Sequence, residues 1–240
     1  MKKNKLNGFI KKYGLSGNVN SVVWKVEDNV LNTSFVTADK SLLGNLEVCG
    51  VDLENGEVGI YSTDQLDKLL GVLGDDIKLS LNKVNDKPIS LKVNDNNNIS
   101  VNYTLSETSV IGTPPKLKRT PPFGIKIKMD SDFVNTFIKG KSALSDVDSF
   151  TLVSNNGSVD CIIGYSSTNT NRINIPTNLI ESDLEKPISF NANLFKEVLV
   201  ANKECTSAIL EVAKDGLMKM NFKVDDFDVT YYLVAMQDND

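Results

Sequence analysis

The chain reads twice. Leu6, Phe9, Ile10 and Lys11 recur 128 positions later as Val134, Phe137, Ile138 and Lys139, in the i, i+3, i+4 spacing that gives a short amphipathic helix one apolar stripe. At the same shift Ser21-Val22-Val23-Trp24 meets Ser149-Phe150-Thr151-Leu152, the start of a strand. Tyr61, Leu66, Leu69 and Leu70 become Phe190, Phe195, Val198 and Leu199 at a shift of 129, and Leu91 to Asp95 becomes Phe222 to Asp226 at 131. A shift that drifts one way is what small loop insertions leave in a duplicated unit. Each half is therefore expected to run helix, β-meander, helix, β-meander.

Strands follow from alternation in Val22 to Val26, Val30 to Thr37, Gly44 to Val48, Val58 to Tyr61, Ile77 to Leu81, Ile89 to Val93 and Ile99 to Leu105. Turns fall at Glu27-Asp28-Asn29, Glu54-Asn55-Gly56 and Asn94 to Asn98, and again at Asn155-Asn156-Gly157, Lys214-Asp215-Gly216 and Asp225 to Asp228. Residues 1–107 and 125–240 are the expected domains. Residues 108–124 between them hold Thr113-Pro114-Pro115 and Thr120-Pro121-Pro122, and paired prolines make a stiff, exposed connector.

The formal charge of -5 conceals an uneven distribution. From Met1 to Val26 there are six lysines and no acid, and from Thr108 to Met129 five basic residues and no acid. This predicts one positive face on an otherwise negative body. Only Arg119 and Arg172 are arginine; mobile lysine charges suit sequence-independent phosphate contact better than base readout.

Much catalytic chemistry is excluded by the absence of histidine, which removes Ser/His and Cys/His pairs and His-ligated metals. Cys49, Cys161 and Cys205 are too scattered for a zinc or redox motif and read as buried reduced thiols. Gly140-Lys141-Ser142 lacks the earlier glycine of a phosphate loop, because Asn135 stands there. Asp95 with Asn97 lacks the Gly and Glu of a calcium loop, where Ser100 and Ser106 stand, and it reads as a hairpin turn, as does the cluster of Asp225, Asp226 and Asp228. Trp24 reads as core. No metal, no cofactor and no enzymatic activity are expected. The broken apolar pattern of Leu6, Phe9 and Ile10 suggests no signal peptide, and no apolar run suits a membrane partner.

The last fifty residues carry a family resemblance. Phe190-Asn191-Ala192-Asn193-Leu194-Phe195 before a helix, Ile209-Leu210-Glu211-Val212, the Asp215-Gly216 turn, and Phe222-Lys223-Val224 leading to Tyr231-Tyr232-Leu233 resemble the DNA sliding clamps, the processivity factors of replicative polymerases. The Tyr-Tyr-Leu strand is similar to that of eukaryotic and archaeal clamps. The short chain, the Pro-rich connector and the segment Tyr61 to Asp76 look closer to clamps of tailed phages. The proline that usually follows Tyr-Tyr-Leu is replaced by Val234-Ala235-Met236.

The resemblance implies an α+β fold of duplicated clamp domains, each with two short helices packed on antiparallel sheets, three copies closing into a ring. It implies double-stranded DNA held without sequence preference, a DNA polymerase and a clamp loader as partners, and a cytoplasmic location, that of an infected bacterium for a phage protein. Lys5, Lys11, Lys12, Lys68, Lys139, Lys141, Lys196 and Lys203 are the expected DNA-facing residues, with Lys12 looking outward because it lies off the stripe of Leu6 and Phe9. A partner peptide is expected on Val110, Ile111, Leu117, Tyr232, Val234 and Met236. Subunits are expected to join by their open edges, Ile99, Val101 and Tyr103 of one meeting Arg172, Ile173 and Ile175 of the next. The rival readings are a duplicated β structural or virion protein with no role on DNA, and a carboxylate-dependent hydrolase.

Overall fold

Both repeated helix pairs form. Leu6, Phe9, Ile10 and Tyr13 are buried along α1 (Lys3–Gly14), and Leu66 and Leu70 along α2 (Thr63–Leu70). The second half answers with α3 (Ser131–Ala143) and α4 (Ala192–Ala201), which bury Phe133, Phe137, Phe195 and Leu199. Side-chain caps start three of the four: the backbone N–H groups of Gln65, Phe133 and Leu194 donate to Ser62, Asp130 and Asn191, each cap worth about 1 kcal/mol.

The computed structural model describes residues 1–168 and 171–237. They divide into two units, one of Met1–Ala38, Leu43–Pro115 and Asp225–Val229, the other of Asp39–Leu42, Lys116–Val224 and Thr230–Asp240. In the first, β1 (Val22–Glu27), β2 (Val30–Val36), β3 (Leu42–Cys49) and β4 (Gly56–Ile60) lie in the order β4-β1-β2-β3, while β5 (Ile77–Val84), β6 (Lys87–Asp95) and β7 (Ser100–Thr104) make a three-stranded sheet. The second adds β8 (Ile125–Asp130), β9 (Ser149–Asn155), β10 (Ser158–Ile163), β11 (Ile173–Pro176), β12 (Asn178–Glu181), β13 (Ile188–Asn191), β14 (Ser207–Val212), β15 (Leu217–Val224) and most of β16 (Phe227–Val234), whose first three residues belong to the first unit. Here the orders are β11-β10-β9-β13 and β12-β8-β14-β15-β16. Two backbone bonds tie the ends of β16: Cys49 N–H donates to the Asp226 carbonyl in the first unit, and Val234 N–H to the Ser41 carbonyl in the second.

Each unit has its own aromatic core. The Phe9 ring stands edge-on to Tyr13 and Trp24 at 5.6 and 5.7 Å, and the Phe137 ring edge-on to Phe195 and Phe150 at 4.7 and 5.1 Å. Trp24 is core, as its place in an alternating strand suggests. Across β2 and β3, Phe35 pairs with Gly44 so closely that a Cβ on Gly44 would lie 2.1 Å from the ring.

The halves differ in ways the repeat does not anticipate. Strand β8 pairs with β14 along its whole length, from Asp130 opposite Ser207 to Ile125 opposite Val212, and β12 adds a further edge. In the first half the β8 position holds only Met1–Lys3: Met1 and Ile77 exchange backbone bonds of 2.7 and 2.9 Å, and Lys3 N–H donates to the Asp75 carbonyl at 2.7 Å. The repeat also slips at Tyr61. Its counterpart Phe190 is fully buried, but Tyr61 is 64% exposed and Ile60 takes the interior place.

Candidate nucleic-acid interface and sheet edges

The helices sort the expected DNA-facing lysines into three groups. Lys11 on α1, Lys68 on α2 and Lys139 on α3 are exposed, as is Lys203, which lies in the turn after α4 rather than on it; Lys196 is half-exposed. Lys5 is half-buried, its ammonium 2.5 Å from the Asp226 carboxylate. Lys12 and Lys141 are corrections, being 1% and 3% exposed. Lys12 does lie off the stripe of Leu6 and Phe9, but that flank of α1 is covered by Phe227, over whose ring its ammonium sits at 5.2 Å. Lys141 curls back to donate to the carbonyls of Leu144 and Ser145 past the end of α3, where a cation meets the negative end of the helix.

The helix surfaces are less basic than the lysines suggest, because Asp64 and Asp67 on α2 and Asp132 on α3 are exposed beside them. The second basic stretch of the sequence does not reach a helix. Lys116, Lys118 and Arg119 lie exposed on the connector, and Lys126 of β8 pairs with Glu181 of β12 at 3.0 Å.

The two strands expected to join subunits both lie at sheet edges, β7 beyond β6 and β11 beyond β10. Asp95 N–H donates to the Ile99 carbonyl and Leu105 N–H to that of Ile89, so odd-numbered residues of this strand bond inward to β6 and Ser100, Asn102 and Thr104 turn their backbone groups outward. The side chains of Val101 and Tyr103 are buried in the first unit, with the Tyr103 hydroxyl bonded to both the N–H and the carbonyl of Ser62. On β10, Gly164 N–H donates to the Ser149 carbonyl, leaving Cys161 and Ile163 to bond their partners Ile175 and Ile173. Asn174 and Pro176 therefore face outward, and a proline, which lacks an N–H, fits such an edge. Arg172 and Ile99 are exposed, and Ile173 is half-buried.

Of the residues expected to receive a partner peptide, Val110 is 66% exposed in the first unit, and Leu117, Val234 and Met236 are exposed in the second, with Tyr232 half-buried. Ile111 is a correction. It is 6% exposed and fills the space left by Gly59, where a Cβ would come 3.0 Å from its Cδ1. A cavity of about 390 Å³ in the second unit, lined by Pro121, Pro122, Phe123 and Ala213 among others, was not foreseen. The one signal for it is an aromatic residue directly after a proline pair.

The remaining motifs resolve structurally. Asp95 accepts from the backbone N–H groups of Gly74, Asn97 and Ile99, and these bonds, that from Gly74 foremost, hold its carboxyl below the usual range. Asp225 adopts a positive φ in the tight turn before β16. Among the described residues no group of three or more His, Cys, Asp or Glu is placed to hold a metal ion. Cys161 and Cys205 are buried and burial pushes the Cys161 thiol up, but Cys49 is exposed, against expectation. No helix among the described residues is long and apolar enough to cross a membrane.

No protein-family profile matches the sequence, and no curated protein matches it either. Solved structures do. The Proliferating Cellular Nuclear Antigen (PCNA) of Entamoeba histolytica superposes with a TM-score of 0.75 at 15% identity, over 98% of this chain and 96% of its own. A structure of A. fulgidus PCNA with the C-terminal region of FEN-1 bound gives 0.78 at 14% identity, over 100% of this chain and 98% of the other. The chain thus has the duplicated sliding-clamp fold of PCNA from end to end.

Proposed function

We propose that three copies of this chain close head to tail into a ring around duplex DNA and tether a replicative DNA polymerase, a clamp loader having opened the ring. Residues 1–107 and 125–240 are then the two clamp domains of each subunit and 108–124 their connector. The observation that carries the reading is the pair of outward-facing edges on β7 and β11. At the shift of the internal repeat, β7 corresponds to β16 and β11 to β3, and the ends of β16 are already bonded beside β3 within one chain. A contact of β7 with β11 of the next copy would repeat that arrangement, and a head-to-tail contact makes a ring where its rotation closes.

Exposed Lys11, Lys68, Lys139 and Lys203, with half-exposed Lys196, supply the phosphate contacts in this reading. Asp64, Asp67 and Asp132 dilute them, which suits a ring that must slide. The ring does no chemistry of its own and works in the cytoplasm, that of an infected bacterium for a phage protein. The FEN-1 segment bound to the A. fulgidus protein supports a peptide-docking role for Leu117, Tyr232, Val234 and Met236 in the second unit.

Light scattering on the eluting protein tests the assembly: a mass three times 26.3 kDa is expected. With loader and ATP, the protein should stay on nicked circular DNA and leave when the circle is cut. A monomer at micromolar concentration, or equal retention on linear and circular DNA, would overturn the reading.

A further inference from the structure

The outer edge of β5 is open where its counterpart in the other unit is closed. Strand β14, the counterpart of β5 in the repeat, is covered by β8 through every residue from Ser207 to Val212. On β5 such pairing stops at Ile77, which bonds Met1. The parity of the next residues is fixed by β6. Its odd-numbered residues bond β7, so Ser90, Lys92 and Asn94 bond Asn82, Ser80 and Lys78. Leu79 and Leu81 therefore turn their N–H and carbonyl groups outward, and β5 has no strand on that side among the described residues.

The chemistry of an incoming strand can be read from the residues it would oppose. Directly opposed residues in an antiparallel pair point to the same face. Leu79 is buried and Leu81 half-buried, whereas Lys78 is exposed and Ser80 half-exposed on the other face, with half-exposed Lys92 beside Ser80 on β6. Lys78 and Lys92 make no ion pair among the described residues. In the closed unit the corresponding positions show the complement, Ile127 opposite Leu210 inside and Lys126 opposite Glu211 outside. A second copy of this chain meeting β5 edge to edge would double the uncompensated lysines on that face, which repulsion disfavours.

We propose that β5 takes an added strand from a partner protein, an extended segment alternating apolar and acidic residues, laid antiparallel to Lys78–Leu81. Main-chain bonds to Leu79 and Leu81 hold it, its apolar side chains cover Leu79 and Leu81, and its carboxylates meet Lys78 and Lys92. This site does not depend on the ring.

The probe is acetyl-Ser-Ile-Glu-Ile-Glu-Ser-amide, with a second peptide carrying lysine in place of glutamate. In the free protein the Leu79 and Leu81 amides should exchange with solvent rapidly, and the acidic peptide should slow both at least tenfold. Lys78→Glu should weaken binding at least fivefold, and the lysine peptide should bind at least tenfold more weakly than the acidic one. Leu81→Pro removes an outward N–H and should abolish binding; if that variant does not fold, the exchange data and Lys78→Glu decide alone. The proposal is overturned by amides already protected in the free protein, by protection appearing on another edge, or by equal binding to wild type and Lys78→Glu. A drop in oligomer mass in folded Leu81→Pro without peptide also overturns it, as that assigns the edge to a second copy.

Discussion

The ammonium of Lys12 stands 5.2 Å from the ring centre of Phe227, and Lys12 is almost wholly shielded from solvent. A lysine in that position is part of the packing between α1 and the start of β16, not part of a surface that greets phosphates. Its long aliphatic stem covers apolar atoms while its charge is satisfied locally.

Lys12→Glu should therefore cost about 2 to 4 kcal/mol, since a reversed charge is buried beside an aromatic ring. Lys12→Met keeps the stem and should cost about 1 kcal/mol or less. Urea unfolding of both checks this. A stable Lys12→Glu protein whose only defect is in DNA retention would return Lys12 to the nucleic-acid face.

Retention on DNA should respond to the exposed lysines instead. Replacing Lys11, Lys68, Lys139 and Lys203 by Glu together should leave stability and oligomer mass near wild type. It should flatten the slope of log affinity against log salt by about 0.9 for each phosphate that is no longer neutralised. Titrating circular-DNA retention from low to high salt gives the slope directly, and an unchanged slope means that other residues meet the phosphates.

The parity of β7 separates two kinds of proline variant. Asn102→Pro and Thr104→Pro remove outward N–H groups and should yield folded monomers. Val101→Pro removes a bond to β6 and should cost about 3 kcal/mol or more of stability before any question of assembly arises. Light scattering and circular dichroism on the three proteins distinguish the outcomes, and an intact trimer in both outward variants rules this edge out.

Alkaline pH should unfold the chain through its buried phenols. Tyr13 and Tyr231 are fully buried, and burial raises both above the ordinary tyrosine value of 10.0. Unfolded, each ionises as pH passes that value; folded, each stays neutral. Their contribution is thus complete below pH 10 and is lost above it, by about 1.4 kcal/mol per pH unit per tyrosine. Tyr231→Phe should lower stability at neutral pH by about 1 kcal/mol, because the Asn202 amide that donates to its hydroxyl loses a partner. The same variant should remove one tyrosine's share of the alkaline slope, and urea titrations at a series of pH values test both effects.

Local periodicity carried the helices and most strands, because the stripes of Leu6, Phe9 and Ile10 and of Val134, Phe137 and Ile138 are set by residues three or four apart. What it missed came from distant partners. Phe227 closes over α1 from the other end of the chain, and no pattern around Lys12 registers that. Ile111 is buried and packs against Gly59, far from it in sequence. Strand β8 does alternate, Ile125-Lys126-Ile127-Lys128-Met129, but it has almost no counterpart in the first half and so is silent in the repeat. At the candidate interface the residue type was legible and the side-chain direction was not.

The contact of Phe35 with Gly44 bears on how this chain can vary over generations. A methyl group at position 44 and a phenyl ring at position 35 compete for one volume, with 2.1 Å between them. Neither site can drift alone: a side chain at 44 demands a smaller residue at 35, and a shrunken 35 leaves a hole that only a larger 44 refills. In homologous chains the two positions should covary as a pair, with glycine found wherever the aromatic ring is kept.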